Sequence, residues 1–241
     1  MHMADKLKYA DYPPSGSPGS SAWQSTILAR AQRRVSKYLR RLVYNDFDAE
    51  ALGTVEVSGS GTVTYDLALT GGYANLQTGT GTGLANFAHV YNSGGNKLIG
   101  AANGGAWYVH SRAKSTLPCD ALSAWDYIGL QNTDYIAFGV LGSVDTTLLN
   151  LRLSSGGTAN FTTAIPFDAD QFHDFDIGFD FDAGSISVWM DDDDTPVLTT
   201  TSLGNLTSQA VQVYSYVADF NIIGTSNKQL IVDRIATVME S

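Results

Sequence analysis

From about Thr54 to its C-terminus this chain consists of short alternating segments separated by glycine, a pattern that leaves little but antiparallel β-structure open to it. TVEVSGSGTVTYDLAL, WYVHSRAKS, YIAFGVLG, LLNLRLSS, FHDFDIGFDF, SISVWMD, AVQVYSYVADF and QLIVDRIATV each read as strands, divided by GG, NSGG, SSGG and DAGS turn signals. So many short strands predict a sandwich. With 241 residues, 44% of them hydrophobic, the chain can bury one sizeable core. None of the glycine pairs opens a helix, so they are turn chemistry and not a phosphate-binding loop, and the GTGTG stretch at 79 to 83 is likewise a loop.

One hairpin can be resolved residue by residue. Phe175, Ile177, Phe179 and Phe181 fall on one face of a strand, while Asp174, Asp176, Asp180 and Asp182 fall on the other. The aromatic face is the core side. After a turn at Ala183-Gly184, Ile186, Val188 and Met190 continue inward, leaving Ser185, Ser187 and Trp189 outward. Trp189 beside the Asp174, Asp176, Asp180 and Asp182 strip is therefore the candidate ligand-binding surface, with the ring to stack on a sugar and the carboxylates to bond its hydroxyls. Trp107, Tyr108, Trp125 and Tyr127 are also of the type that stacks on a sugar, but aromatics in sandwiches are more often core; Trp107 and Trp125 are assigned to the core or a loop plug, and only Trp189 is left as a surface candidate.

The N-terminal part differs in charge and period. The first 41 residues carry eight Lys/Arg against two Asp, about +6, and the remaining 200 carry six against 22 Asp/Glu, about −16. Residues 1–20 read as an extended arm held out of helix by Pro13, Pro14 and Pro18. Residues 21–45 read as a basic amphipathic helix capped by Ser20 or Ser21, with Leu28, Val35 and Leu42 seven apart and Ala31 and Tyr38 between them. Residues 46–241 form the β domain. The seam either lies on its own domain, leaving a solvated basic side, or packs against other copies or a larger partner. The partner reading assigns contacts to Trp23, Ile27, Leu28, Arg30, Arg34, Val35, Tyr38, Leu39 and Leu42.

FHDFDIGFDFDAGSISVWMDDDDTPV resembles the late hairpin of the concanavalin A-like sandwiches of lectins, glucanases and laminin G modules, and QLIVDRIATV is similar to their last strand. The resemblance covers residues 54 to 238. It implies an all-β, concanavalin A-like antiparallel β-sandwich (jelly roll), here preceded by an extended arm and an amphipathic helix. It leaves function open, because the superfamily holds enzymes, sugar binders, adhesion modules and viral particle proteins.

Several chemistries find no support in the residues. Glycosidases of this superfamily use a Glu-x-Asp-x-x-Glu strand, and Glu50, Glu56 and Glu240 belong to no such motif. No catalytic residues are assigned. His2, His89, His110 and His173 lack zinc spacing, and Cys119 is the only cysteine. No cofactor is called for. Calcium is the one metal the acidic loops at Asp168, Asp170 and Asp174 and at Asp191 to Asp194 invite, though neither has an ordered ligand spacing. No apolar run is long enough for a membrane helix and no export signal is read. The acidic body disfavours nucleic acid. The expectation is a non-enzymatic structural or binding protein. It is read as a phage virion component, such as a capsid decoration or tail protein, attached through its N-terminal arm as a homo-oligomer such as a trimer. The alternatives are a lectin-like module with a glycan partner and, less favoured, a glycan hydrolase.

Overall fold

In the computed structural model the strands pair into two antiparallel sheets. The structure describes residues 8–11, 22–45, 54–66, 73–79, 86–91, 97–98, 105–115, 122–129, 135–141, 145–155, 158–166, 171–180, 182–201, 210–219 and 229–240. Side chains are described for most of the helix and the sheet beneath it, and the second sheet is described chiefly by backbone and register.

In spatial order the first sheet runs through β1 (Lys8–Asp11), β2 (Leu39–Asn45), β17 (Gln229–Glu240), β8 (Ala106–Ser115), β13 (His173–Asp180), β14 (Ser185–Met190) and β15 (Leu198–Thr200). β5 (Tyr73–Gln77) also pairs with β17, and β4 (Thr62–Asp66) with β5. The second sheet runs through β12 (Thr158–Pro166), β11 (Asp145–Ser155), β10 (Tyr135–Leu141), β9 (Leu122–Gly129), β16 (Ala210–Asp219), β6 (Asn86–Tyr91) and β3 (Thr54–Ser58), with β7 (Lys97–Leu98) beside β16. TVEVSGSGTVTYDLAL, read as a strand, thus holds two, β3 and β4. Its two strands join different sheets, and the chain turns between them at Gly59, whose φ of 63° suits glycine.

The period-two pattern of the late hairpin holds. Phe175, Ile177 and Phe179 are buried, as are Ile186 and Val188 opposite them. Trp107 and Val109 of β8 pair with Phe179 and Ile177 and are buried with them, which places Trp107 in the core. Phe181 and Trp125 lie outside the described side chains.

The single helix of the described residues, α1 (Ala22–Arg34), is shorter than the sequence suggests. Residues 39–45, read there as its continuation, form β2 between β1 and β17. Val35 N–H and Ser36 N–H both donate to the Ala31 carbonyl, closing the helix. Ser36 Oγ then donates to Glu240 Oε1 at 3.1 Å and accepts from Tyr38 N–H, while Gln32 Nε2 donates to the Leu39 carbonyl at 2.9 Å. No glycine or proline marks this stop. LRRLVYN satisfies either local pattern, and two flanking strands whose ladder groups need partners decide it.

Candidate functional site

Two of the residue sets singled out from sequence meet, and they meet each other. α1 lies across the outer face of the first sheet. Ile27, Leu28 and Ala31 are buried there with Leu39 and Leu42 of β2, Ala106 and Tyr108 of β8, Ala236 and Val238 of β17, and Trp189 of β14. Val35 packs against the same cluster. The heptad seam therefore finds its partner within its own chain, and its last repeat reaches the cluster from a strand. Burial of Ile27 and Leu28 alone contributes about 3 to 6 kcal/mol at ordinary transfer values. Tyr38, assigned to a partner contact, is 61% exposed beside Lys37. The side chain of Trp23 lies outside the described residues.

The aspartate strip is not a solvent face. Asp176 is fully buried and Asp174 nearly so, because α1 sets two of its arginines over them. Arg30 and Arg34 stand one turn apart on the sheet-facing side of the helix, not on a solvated basic side. Arg34 Nη1 donates to Asp176 Oδ2 at 2.6 Å and to the Tyr108 hydroxyl at 2.9 Å. Arg30 Nη1 lies 3.3 Å from Asp174 and 3.6 Å from Asp176. From the sheet side, Arg112 and Arg234 approach Asp174 at 3.1 and 3.4 Å, and each also pairs with Asp233.

His110 completes the cluster. Arg234 Nε donates to its Nε2 at 3.1 Å, so that nitrogen accepts, and Nδ1 carries the proton that Asp176 Oδ1 receives at 2.8 Å. Burial works against ionisation of Asp174, but the guanidiniums of Arg234 and Arg112 more than offset it and hold the carboxyl below the usual carboxylate range. Asp233 goes the other way, since burial outweighs its arginines and raises it. Burial also pushes the Tyr108 hydroxyl well above its ordinary value, with the Asp176 charge adding to it.

Trp189, expected on the surface, is 4% exposed. Its register partner is Asp176, as the alternation requires, but the helix covers it. The Arg34 guanidinium sits 5.3 Å from its ring centre, and its Nε1 donates to the Asp194 carbonyl at 3.2 Å. Gly178 makes this closeness possible, because a Cβ there would lie 2.4 Å from Val35 Cγ2 and 2.8 Å from Trp189 Cζ3. The last two members of the strip lie at the hairpin turn, where Asp180 accepts from the Ala183 N–H and Asp182 is exposed.

The acidic turn after β14 answers the same helix. Asp191 takes a φ of 55°, a conformation Asp tolerates, and its Oδ1 accepts from the Asp174 N–H. Asp192 then pairs with Arg30, Asp194 with Arg33, and the Asp193 carbonyl accepts from Arg34. The acidic run that invited calcium is engaged with helix arginines. Among the described residues no group of three or more His, Cys, Asp or Glu is placed to hold a metal ion, and Asp168 and Asp170 lie outside them. No helix among the described residues is long and apolar enough to cross a membrane.

α1 covers β2, β17, β8, β13 and β14 of the first sheet, and the second sheet is the other broad element of the fold. Its register aligns Thr54, Tyr91, Tyr214, Tyr127, Ala137, Arg152 and Phe161 in one row across seven strands. A second row on the same face aligns Glu56, His89, Tyr216, Ala124, Gly139 and Asn150, past a bulge in β9. The intervening positions are largely aliphatic: Val213, Ile128, Ile136 and Leu153 form one row. Ile165, which ends another such row beside Leu149, is buried, while Val57 on the opposite edge strand is 47% exposed. Sequence reasoning weighed Tyr127 for stacking but kept Trp189 instead, and it missed Tyr91 and Tyr214, because the row is assembled from segments far apart in the chain. Their common signal is alternation with aliphatic residues, as in VQVYSY, which marks a face but not its neighbours.

No protein-family model matches the chain, and no curated protein does. Solved structures do. An endo-β-1,4-glucuronan lyase from the fungus Trichoderma reesei is similar with a TM-score of 0.57 at 12% identity, over 81% of this chain and 94% of that one. Peanut lectin is similar with a TM-score of 0.55 at 9% identity, over 82% and 96%. Rv0315 of Mycobacterium tuberculosis, described as an immunostimulatory antigen and pseudo β-1,3-glucanase, is similar with a TM-score of 0.57 at 12% identity, over 82% and 98%. Identities this low speak to architecture, and the architecture agrees with the sheets described: the chain has the concanavalin A-like β-sandwich fold.

Proposed function

We propose that this protein is a carbohydrate-binding sandwich whose glycan lies on the face of the second sheet that carries Tyr91, Tyr214 and Tyr127. The observation that carries this reading is the register that brings three tyrosines to consecutive cross-strand positions. Directly paired positions share a face of the pleat. The alternate rows are aliphatic and suit the core, so the tyrosine rows take the side away from it. Aromatic groups spaced along a sheet surface cover the C–H faces of successive sugar rings. The lectin and glycan-degrading enzymes that share the fold are consistent with this use of it.

This relocates the site from the Trp189 strip, which α1 covers. It also removes the motive for attachment through the helix seam. Display on a particle or other assembly would rest on residues 1–20 or on another surface. A glycan array tests the binding reading: the wild-type chain retains defined glycans, and Tyr214→Ala loses them without a change in melting temperature. Retention of nothing by a folded wild-type protein would end it.

A second reading has its own observation. Glu56, His89 and Tyr216 occupy adjacent positions on three neighbouring strands, residue types that supply general acid and base chemistry. Release of reducing or unsaturated sugar ends from bound polysaccharide, abolished by His89→Ala, would make the protein an enzyme rather than a binder.

A further inference from the structure

The second sheet has few cations. Within its described strands the only arginine or lysine positions are Arg152 of β11 and Lys97 of β7. Lys97 pairs with Val211, on the aliphatic side of β16, whereas Arg152 falls in the tyrosine row. Its cross-strand neighbours are Ala137 and Phe161, and Asn150 and Ser154 flank it two residues away along its own strand. None of these positions carries Asp or Glu. The first sheet follows another rule: Arg30, Arg34, Arg112 and Arg234 each have an aspartate within 4.0 Å. Those arginines hold the fold together. By register, the described positions next to Arg152 are aromatic or neutral in sequence.

Strands in a sheet lie about 4.8 Å apart. Tyr91 to Tyr127 then spans about 10 Å, and Arg152 stands about 10 Å further along the same line, so the row suits an oligosaccharide better than a single sugar. A guanidinium recognises a carboxylate through two parallel hydrogen bonds, a geometry that a neutral hydroxyl pair does not match. Resting on the glycan-binding reading above, we infer that the ligand is an acidic polysaccharide of uronate sugars, stacked on the tyrosines and read at one carboxylate by Arg152. The acidic body repels such a polymer at long range, but fields beyond about 8 Å are screened at physiological ionic strength. Selection then rests on contact, and Arg152 is the contact.

Calorimetric titration tests this with hexamers of galacturonate, mannuronate and glucuronate, each compared with its carboxyl-reduced neutral counterpart. At least one acidic hexamer binds the wild-type protein about tenfold or more tighter than its neutral partner, the range expected for hydrogen bonds to a charged group. Arg152→Gln brings the pair to near equality, Arg152→Lys falls between, and Tyr214→Ala weakens both members. Equal binding of acidic and neutral hexamers, or a preference that survives Arg152→Gln, overturns the uronate assignment and leaves glycan binding standing. Failure to bind any hexamer, acidic or neutral, also overturns the uronate assignment, and the glycan array then decides the glycan-binding reading by itself.

Discussion

Replacing Asp176 with Asn keeps the size of the side chain and removes the one fully buried carboxylate between α1 and the sheet. Asp176 accepts from Arg34 at 2.6 Å and from His110 at 2.8 Å, and Arg30 lies 3.6 Å away. The side chain of Arg34 is 2% exposed, so it cannot replace this counter-charge with water, whereas Arg30 keeps Asp174 and Asp192. Breaking a buried pair in this way costs about 3 to 5 kcal/mol. That is a large part of the roughly 5 to 15 kcal/mol that holds a domain folded. Urea unfolding followed by tryptophan fluorescence should show a midpoint lower by about 1 to 2.5 M, for a slope of about 2 to 3 kcal/mol per molar. Trypsin should then cut at Arg30, Arg33 and Arg34 at urea concentrations where the wild-type helix is protected. Arg34→Met combined with Asp176→Leu should recover part of the loss, because an apolar pair has no desolvation penalty to offset. A loss below about 1 kcal/mol in Asp176→Asn would refute the claim that this charge is structurally required, since exposed pairs contribute only that much.

Gly178→Ala should cost about 1 to 3 kcal/mol by overpacking, seen as a lower melting temperature and a red-shifted Trp189 emission as Val35 and the ring are pushed apart. Arg33→Ala, by contrast, breaks an ion pair that is 59% and 67% exposed and should shift stability by at most about 1 kcal/mol. The low folded pKa of Asp174 supplies stability that is present above the unfolded value of about 3.9 and is lost as pH falls through the folded one. Asp233, raised by burial, works in the opposite direction, so Asp174→Asn should flatten the acid limb of a stability profile and Asp233→Asn should steepen it. Tyr108 is raised, so its contribution is full below about pH 10 and is lost as pH climbs above that, and Tyr108→Phe should remove this alkaline component.

Period-two alternation is a local property of the backbone, which is why the two faces of the Asp174 to Asp182 strand could be assigned from residues alone. Phe175, Ile177 and Phe179 line the core as that pattern requires. The same reasoning found the helix and its apolar stripe, but not its end. LRRLVYN is compatible with helix or strand, and β1 and β17 decide the matter by pairing with it. What covers the outer aspartates was equally out of reach, for Arg34 and Asp176 are 142 residues apart. Charge alternation along one strand says that a face is polar; it does not say whether water or a buried guanidinium answers it. The row from Tyr91 to Arg152 needed still more, the register of five strands across long connections. Hydrophobic period and turn chemistry act over a few residues, so alternation alone marked the core side of the late hairpin and predicted a sandwich. That the basic helix lies over one sheet, and that register aligns Tyr91, Tyr214, Tyr127 and Arg152 in the other, depends on pairing between distant segments, which no local pattern carries.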